Sequence, residues 1–175
     1  MHKHVISLVA TGRVELVELL DGAVGGRERL IGEHHNLIVD LAYTDLLPRI
    51  LGRDPNADVA IISVGEGGNY DQAGVFIGTR VAPAVTDTAM RLEIFRAGIV
   101  QITFPAANQI QFVGMLRQNE AVSVNIDEFG LLSTDGRMFA HAVNADTGPA
   151  TPTVPYTKPA GAIFAVKWTL TLNRC

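Results

Sequence analysis

The chain has 175 residues, a formal net charge of −4 and an apolar fraction of 47%. That length can bury a core without staples and is read as a single domain over residues 1–175. The weakly acidic balance supplies no basic field for a phosphate backbone, so no nucleic-acid partner is expected. The longest apolar runs, residues 59–64 and 162–166, fall far short of the roughly 20 residues of a membrane-crossing helix, so no membrane partner is expected either.

In chain order, residues 5–10 and 13–20 read as two strands, with Asp21-Gly22 as a turn after the second. The short apolar run behind Met1-His2-Lys3-His4 is too brief for a leader and is taken as the start of the first strand. Residues 27–37 continue extended. At Ile38 the spacing changes: Ile38, Leu41, Ala42, Leu46 and Ile50 follow the i, i+3, i+4 series and predict one substantial helix near residues 38–51, with Pro48 disturbing its last turn. Residues 59–64 form a nearly continuous apolar run, the pattern of a strand covered on both faces.

Residues 65–72 and 82–89 read as connections. The cluster Gly65-Glu66-Gly67-Gly68 lacks the Gly-Lys-Ser/Thr ending of a phosphate-binding loop. Val100, Ile102 and Phe104 then alternate with Gln101 and Thr103, and Ile110 and Phe112 flank Gln111. Residues 122–143 predict a hairpin whose first limb places Val122, Val124 and Ile126 on one face. Its turn is Asp135-Gly136, where glycine takes positive φ without a Cβ penalty.

Residues 146–160 carry Pro149, Pro152, Pro155 and Pro159 and predict an exposed arm, because proline cannot donate to a sheet ladder. The last strand sets Phe164, Val166, Trp168, Leu170 and Leu172 against Ala165, Lys167, Thr169 and Thr171. Strands with one wet face each imply a mainly β chain, an antiparallel β-sandwich or jelly-roll-like domain with the one helix at 38–51.

No constellation of reactive residues emerges. His2 and His4 share one strand face and His34 and His35 are adjacent, but a metal site needs three or four ligands converging on a point, so all four are read as surface or loop histidines. His141 falls in an apolar strand and is read as packed or solvent-facing. Asp127 and Glu128 are neighbours and point to opposite faces of a strand, so they are not an acid/base pair; Glu128 is expected to cap or to pair across the sheet. No nucleophile elbow occurs. No catalytic, cofactor-binding or metal residue is nominated, no cofactor is expected, and the chain is not expected to be an enzyme. A lone cysteine makes no internal disulfide, which leaves Cys175 as a candidate for a disulfide between subunits.

Several short motifs carry a family resemblance. Glu128, Gly130, Leu131 and Leu132, then Asp135-Gly136, then Lys158, then Val166-Lys167-Trp168-Thr169-Leu170-Thr171-Leu172 follow a pattern that resembles small β-rich virion proteins of tailed bacteriophages, the neck or collar proteins and the tail-collar, fibre-attachment domains. Upstream, His35-Asn36-Leu37-Ile38-Val39-Asp40 and Thr86-Asp87-Thr88-Ala89-Met90 are similar to two further segments of that group. The likeness runs over residues 22–172; it departs from the pattern at Leu132, where an aromatic is common, and no fibre shaft follows Cys175.

The resemblance implies a structural virion protein, made in the host cytoplasm and assembled in several copies around the neck, with other copies of itself and other phage neck or tail proteins as partners. The expected assembly contacts are Tyr70, Asp71, Pro149, Pro152, Pro155 and Tyr156. The competing readings are a baseplate or tail-fibre attachment protein, a carbohydrate-binding module, and an enzyme with a cupin-like metal site.

Overall fold

The computed structural model describes residues 8–67, 82–144 and 155–174. Its strands are β1 (Leu8–Leu19), β2 (Glu28–Ile38), β3 (Val59–Gly65), β4 (Glu93–Thr103), β5 (Gln109–Leu116), β6 (Asn125–Ile126), β7 (Glu128–Ser133), β8 (Met138–Val143), β9 (Tyr156–Thr157) and β10 (Phe164–Arg174). Eight of them close into a barrel in the order β1-β10-β5-β4-β3-β7-β8-β2, every neighbouring pair antiparallel, while β6 and β9 form a separate two-stranded ribbon.

The expected sandwich or jelly roll is therefore corrected to a closed barrel. A sandwich and a barrel read alike along each strand, since both need one apolar face. The difference lies in whether the last pair of edges meets. Here they do so through two residue pairs, Leu37 with His141 and Ile38 with Ala140, which join β2 to β8. Strand twist accumulates around a sheet, and bulges at Leu16/Val17, Val64/Gly65, Ile99/Gln101 and Leu131/Leu132 add the local bend that brings the edges together.

The substantial helix is corrected as well. Ile38 belongs to the barrel wall, and the helical segment that follows is short: a wide π turn at Ala42–Leu46 runs into a five-residue α-helix, α1 (Leu47–Leu51). Leu47 N–H bonds back to Ala42. Pro48 has no N–H to continue the regular ladder, and the turn widens immediately before it. The segment is held on the barrel by Ala42 and Leu46, both buried in the core, and tied at its surface by charge. Arg49 reaches Asp45, Asp54 and Asp135 at 3.2, 2.8 and 2.9 Å, so the β7–β8 turn is tied to the helix. Hydrogen bonds from the Asn56 backbone and from Arg49 hold the Asp54 carboxyl below its usual range, and those from Ser133 and Arg49 do the same for Asp135.

Val14, Leu16, Ile62, Val64, Phe112, Leu131, Val166 and Trp168 point inward and are essentially sealed from solvent. A second layer, Val39, Leu132 and Met138 with Leu41, Ile61 and Met90 against them, lies outside β3-β7-β8 beneath the β3–β4 connection, whereas Ala42 and Leu46 of the helical segment are buried in the core itself. This outer cover is why β7 and β8 are buried along their whole length.

Two strand readings are also revised. Residues 5–10 and 13–20 are not two strands over the described residues, because β1 runs unbroken through Gly12. The first limb of the expected hairpin is mostly turn, with Ala121 and Ser123 at φ 48° and 57°; the hairpin is β7–β8, around Gly136 at φ 83°.

Gly65 and Gly98 offer a controlled comparison. A Cβ at Gly65 would come within 2.2 Å of the Leu92 carbonyl oxygen, which is backbone and cannot swing away, whereas one at Gly98 meets nothing within 4 Å. Gly65→Ala is expected to destabilise the fold by about 2 kcal/mol or more, and Gly98→Ala by less than about 0.5 kcal/mol. Denaturant titration of both variants checks this; equal costs would mean that Gly65 is not wedged against Leu92.

Candidate functional site

The best-organised polar constellation lies on the outer face of the β7–β8 hairpin, under the β3–β4 connection. The hairpin register places Gly130 opposite His141 and Glu128 opposite Val143, which puts the Glu128 carboxylate diagonal to the imidazole on the same face. His141 Nε2 lies 2.7 Å from Glu128 Oε1, and His141 Nδ1 lies 2.7 Å from Asp87 Oδ2. Glu128 and His141 are fully buried, and Asp87 is partly open to solvent. Each ring nitrogen thus faces a carboxylate oxygen within hydrogen-bond distance.

Glu128 has more to hold. Its oxygens accept from the Arg91 backbone N–H at 2.9 and 3.1 Å and from Leu92 N–H at 3.4 Å. The Arg91 guanidinium turns back to donate to the carbonyls of Gly67, at 3.0 Å, and Ala82, at 3.3 Å. Glu128 therefore fixes the returning end of the β3–β4 connection. Gly130, one position past Phe129, leaves room for Met90 of that connection, whose Sδ would lie 3.0 Å from a Cβ there.

The neighbouring acid does the matching work on the other side. Asp127 is buried, its carboxylate accepts from Gly67 N–H, and its backbone N–H donates to Gly65 O at 3.0 Å. Its own carbonyl accepts from Asn144 N–H at 2.7 Å. Two consecutive acids thus pin the departure of the β3–β4 connection, its return, and the chain leaving β8. Arranged so, Glu128, His141 and Asp87 clamp the β7–β8 hairpin to the β3–β4 connection. The two carboxylates lie on opposite sides of the ring and cannot converge on one ion, and among the described residues no group of three or more His, Cys, Asp or Glu is arranged to hold a metal.

A second polar pair sits inside the barrel wall. His34 of β2 faces inward, stacks on Phe129 with ring centroids 5.9 Å apart, and shares a 3.0 Å hydrogen bond with the Tyr156 hydroxyl. Gly32 makes room for that hydroxyl, which would lie 2.1 Å from a Cβ. Burial pushes the His34 ring below its ordinary value of 6.5 and pushes the Tyr156 phenol up.

Of the expected contact residues, Tyr70, Asp71, Pro149 and Pro152 lie outside the described residues, as do Cys175, His2 and His4. Pro155 is half-buried just before β9, and Tyr156 is the half-buried partner of His34. The described end of the proline-rich stretch is docked: β9 pairs with β6, and Lys158 is buried with its ammonium donating to Gln118 O at 3.1 Å. His34 and His35 are in β2, the first inward and the second exposed, and His141 is packed. Trp168 is in the core. Among the described residues no helix is long and apolar enough to cross a membrane.

Sequence reasoning missed Asp87 and Arg91 and left Glu128 without a named partner. Counting back from the Asp135-Gly136 turn would have placed Glu128 near His141. Nothing in the spacing brings Asp87 to the same ring. Comparisons of the chain with protein-family models, with curated proteins and with solved structures found no match.

Removing the Glu128 carboxylate leaves two part-buried N–H groups and the buried His141 ring without their acceptor. Glu128→Ala is expected to cost about 3–5 kcal/mol in denaturant titration and to accelerate hydrogen exchange at the Arg91 and Leu92 amides ahead of the β5 and β10 amides. Uniform acceleration would show that the clamp is not local. The His34 shift has its own consequence. Below pH 6.5 the unfolded chain takes up a proton that the folded ring resists, so stability falls as pH drops through that value. Unfolding measured between about pH 7.5 and 5.5 should show a shallower decline in His34→Gln than in the parent chain.

Proposed function

We propose that this chain is a structural protein of a tailed-bacteriophage virion, present in several copies around the neck or collar. The observation that carries the reading is the use to which the resemblance motifs are put. Glu128 clamps a connection, Gly130 admits Met90, and Leu131 and Leu132 fill the inner and outer apolar layers. Asp135 and Gly136 make the turn that Arg49 ties down, Lys158 is buried, and Trp168 and Leu170 are core.

The upstream segments behave alike. Leu37 and Ile38 close the barrel, and Asp87 bonds His141. Residues shared with the virion group are therefore spent on bracing a barrel and its connections, which is what a part that must bear load in an assembly requires. Fold alone does not assign function, so the reading leans on these motif residues rather than on the barrel.

Purified particles of the phage whose genome encodes the chain provide the test. Mass spectrometry of the particle is expected to find the chain in more than one copy, and averaged electron micrographs to place barrel-sized density at the neck. Density at the distal tail would favour fibre attachment. A particle lacking the chain would overturn the reading.

A further inference from the structure

One end of the barrel is unlike the rest. At this end β1, β10, β5 and β4 remain paired with one another, through Leu8 with Arg174, Thr171 with Gln109, and Thr103 with Gln111. The flanking strands stop short. The β1–β2 register begins only at Gly12 with Asn36, and the β3–β4 register ends at Ile61 with Gly98. A four-stranded overhang results, and among the described residues no strand pairs with its two outer edges, residues 8–11 of β1 and 100–103 of β4.

Four of the nine exposed large apolar side chains among the described residues cluster at the overhang. Val100, Ile102, Phe104 and Leu172 are 53%, 50%, 74% and 49% exposed, although alternation along β4 predicts a covered face. A hollow of about 210 Å3 lies between Phe104, Ile110 and Leu172. Apart from Arg174 at the tip of β10, the overhang is uncharged: none of Asp, Glu, Lys, Arg or His occurs in 8–12, in 97–116 or in 168–173. Elsewhere the outer surface is studded with ion pairs, such as Arg13 with Glu33 and Arg27 with Asp21.

Exposed strand edges are normally blunted by lysine, proline or covering chain. These edges carry no charge and no proline before Pro105, and only the bulge at Ile99/Gln101 marks the point where β4 leaves β3. Depletion of charge with exposed aliphatic and aromatic side chains is the composition of an interface core.

We infer that the overhang is the surface through which one copy of this chain joins the next, the β4 edge of one copy pairing with the β1 edge of its neighbour. This rests on the multi-copy reading above and names its contact. The occupant is a second copy for two reasons. Apart from Arg174 at its tip, the surface consists of amides, hydroxyls and apolar groups, which meet their own kind without charge repulsion. The four overhanging strands also alternate in direction, so β4 of one copy and β1 of a neighbour in the same orientation are antiparallel, and the sheet continues across the joint in the pattern it already has. The joint is heterologous, and repetition gives a ring if the rotation closes.

Sedimentation of the full chain at roughly micromolar concentration tests this, since standard-size interfaces bind at that affinity or tighter. Two pairs of blocked variants are compared, Leu8→Lys with Ala10→Lys on β1, and Ile102→Lys with Phe104→Lys on β4. Gln101→Lys with Thr103→Lys is a second β4 block at outward polar positions, where the core is not touched. Circular dichroism confirms that each folds. The parent chain is expected to sediment as a multimer, each blocked variant as a monomer, and an equal mixture of a β1-blocked and a β4-blocked variant as a dimer that grows no further.

A monomeric parent chain, a multimer indifferent to all the blocks, or a mixture that stays monomeric would each overturn the inference. The two readings fail separately. A chain found in particles but monomeric in isolation leaves the virion reading standing and removes this contact, and a multimer built through these edges but absent from particles does the reverse.

Discussion

The carboxylates of Asp127 and Glu128 are the constraint on which the outer half of the molecule depends. Neither charge could be buried alone, because desolvation of an ion costs several kcal/mol unless hydrogen bonds compensate. Glu128 meets that cost with two backbone N–H groups and an imidazole, and Asp127 meets it with Gly67 N–H. The consequence is positional. The long connection between β3 and β4 cannot leave or return except where these two acids hold it, and its Met90 then completes the apolar layer over Leu132 and Met138.

The barrel itself follows a different logic, in which closure depends on few contacts. Only two residue pairs join β2 to β8, against eleven that join β1 to β10. Such a short seam is backed by the core within, where Ala42 and Leu46 of the helical segment join Val14, Leu131 and Trp168, and by the layer of Val39, Leu132 and Met138 without. The Arg49 bonds to Asp45, Asp54 and Asp135 link the helical segment to the hairpin turn, so the segment and the seam reinforce one another. At the overhang this reinforcement is missing. Among the described residues the overhang carries no charge except Arg174, a composition that suits contact between protein surfaces.

The strands were legible wherever burial alternated or was continuous along a run of residues, as in β3, β5, β8 and β10, and the Asp135-Gly136 turn was legible from chirality. The helix was misjudged because Ile38 fits the helical series and the sheet equally well, and the sheet claims it through Ala140. Val122 and Val124 alternate like a strand, yet the chain turns through Ala121 and Ser123 instead. The exposure of Ile102 and Phe104 was illegible because alternation reports which residues share a face, not whether anything covers it.

By itself the sequence determined a mainly β chain, its tight hairpin turn and the placement of Trp168 in the core, because each of these depends on neighbours within a few residues. The tertiary structure decided closure into a barrel, the union of Asp87 with His141 across 54 positions, and the uncovered overhang. Those depend on which distant strands meet, and strand pairing is fixed by twist, bulges and the packing of the whole sheet rather than by any local period.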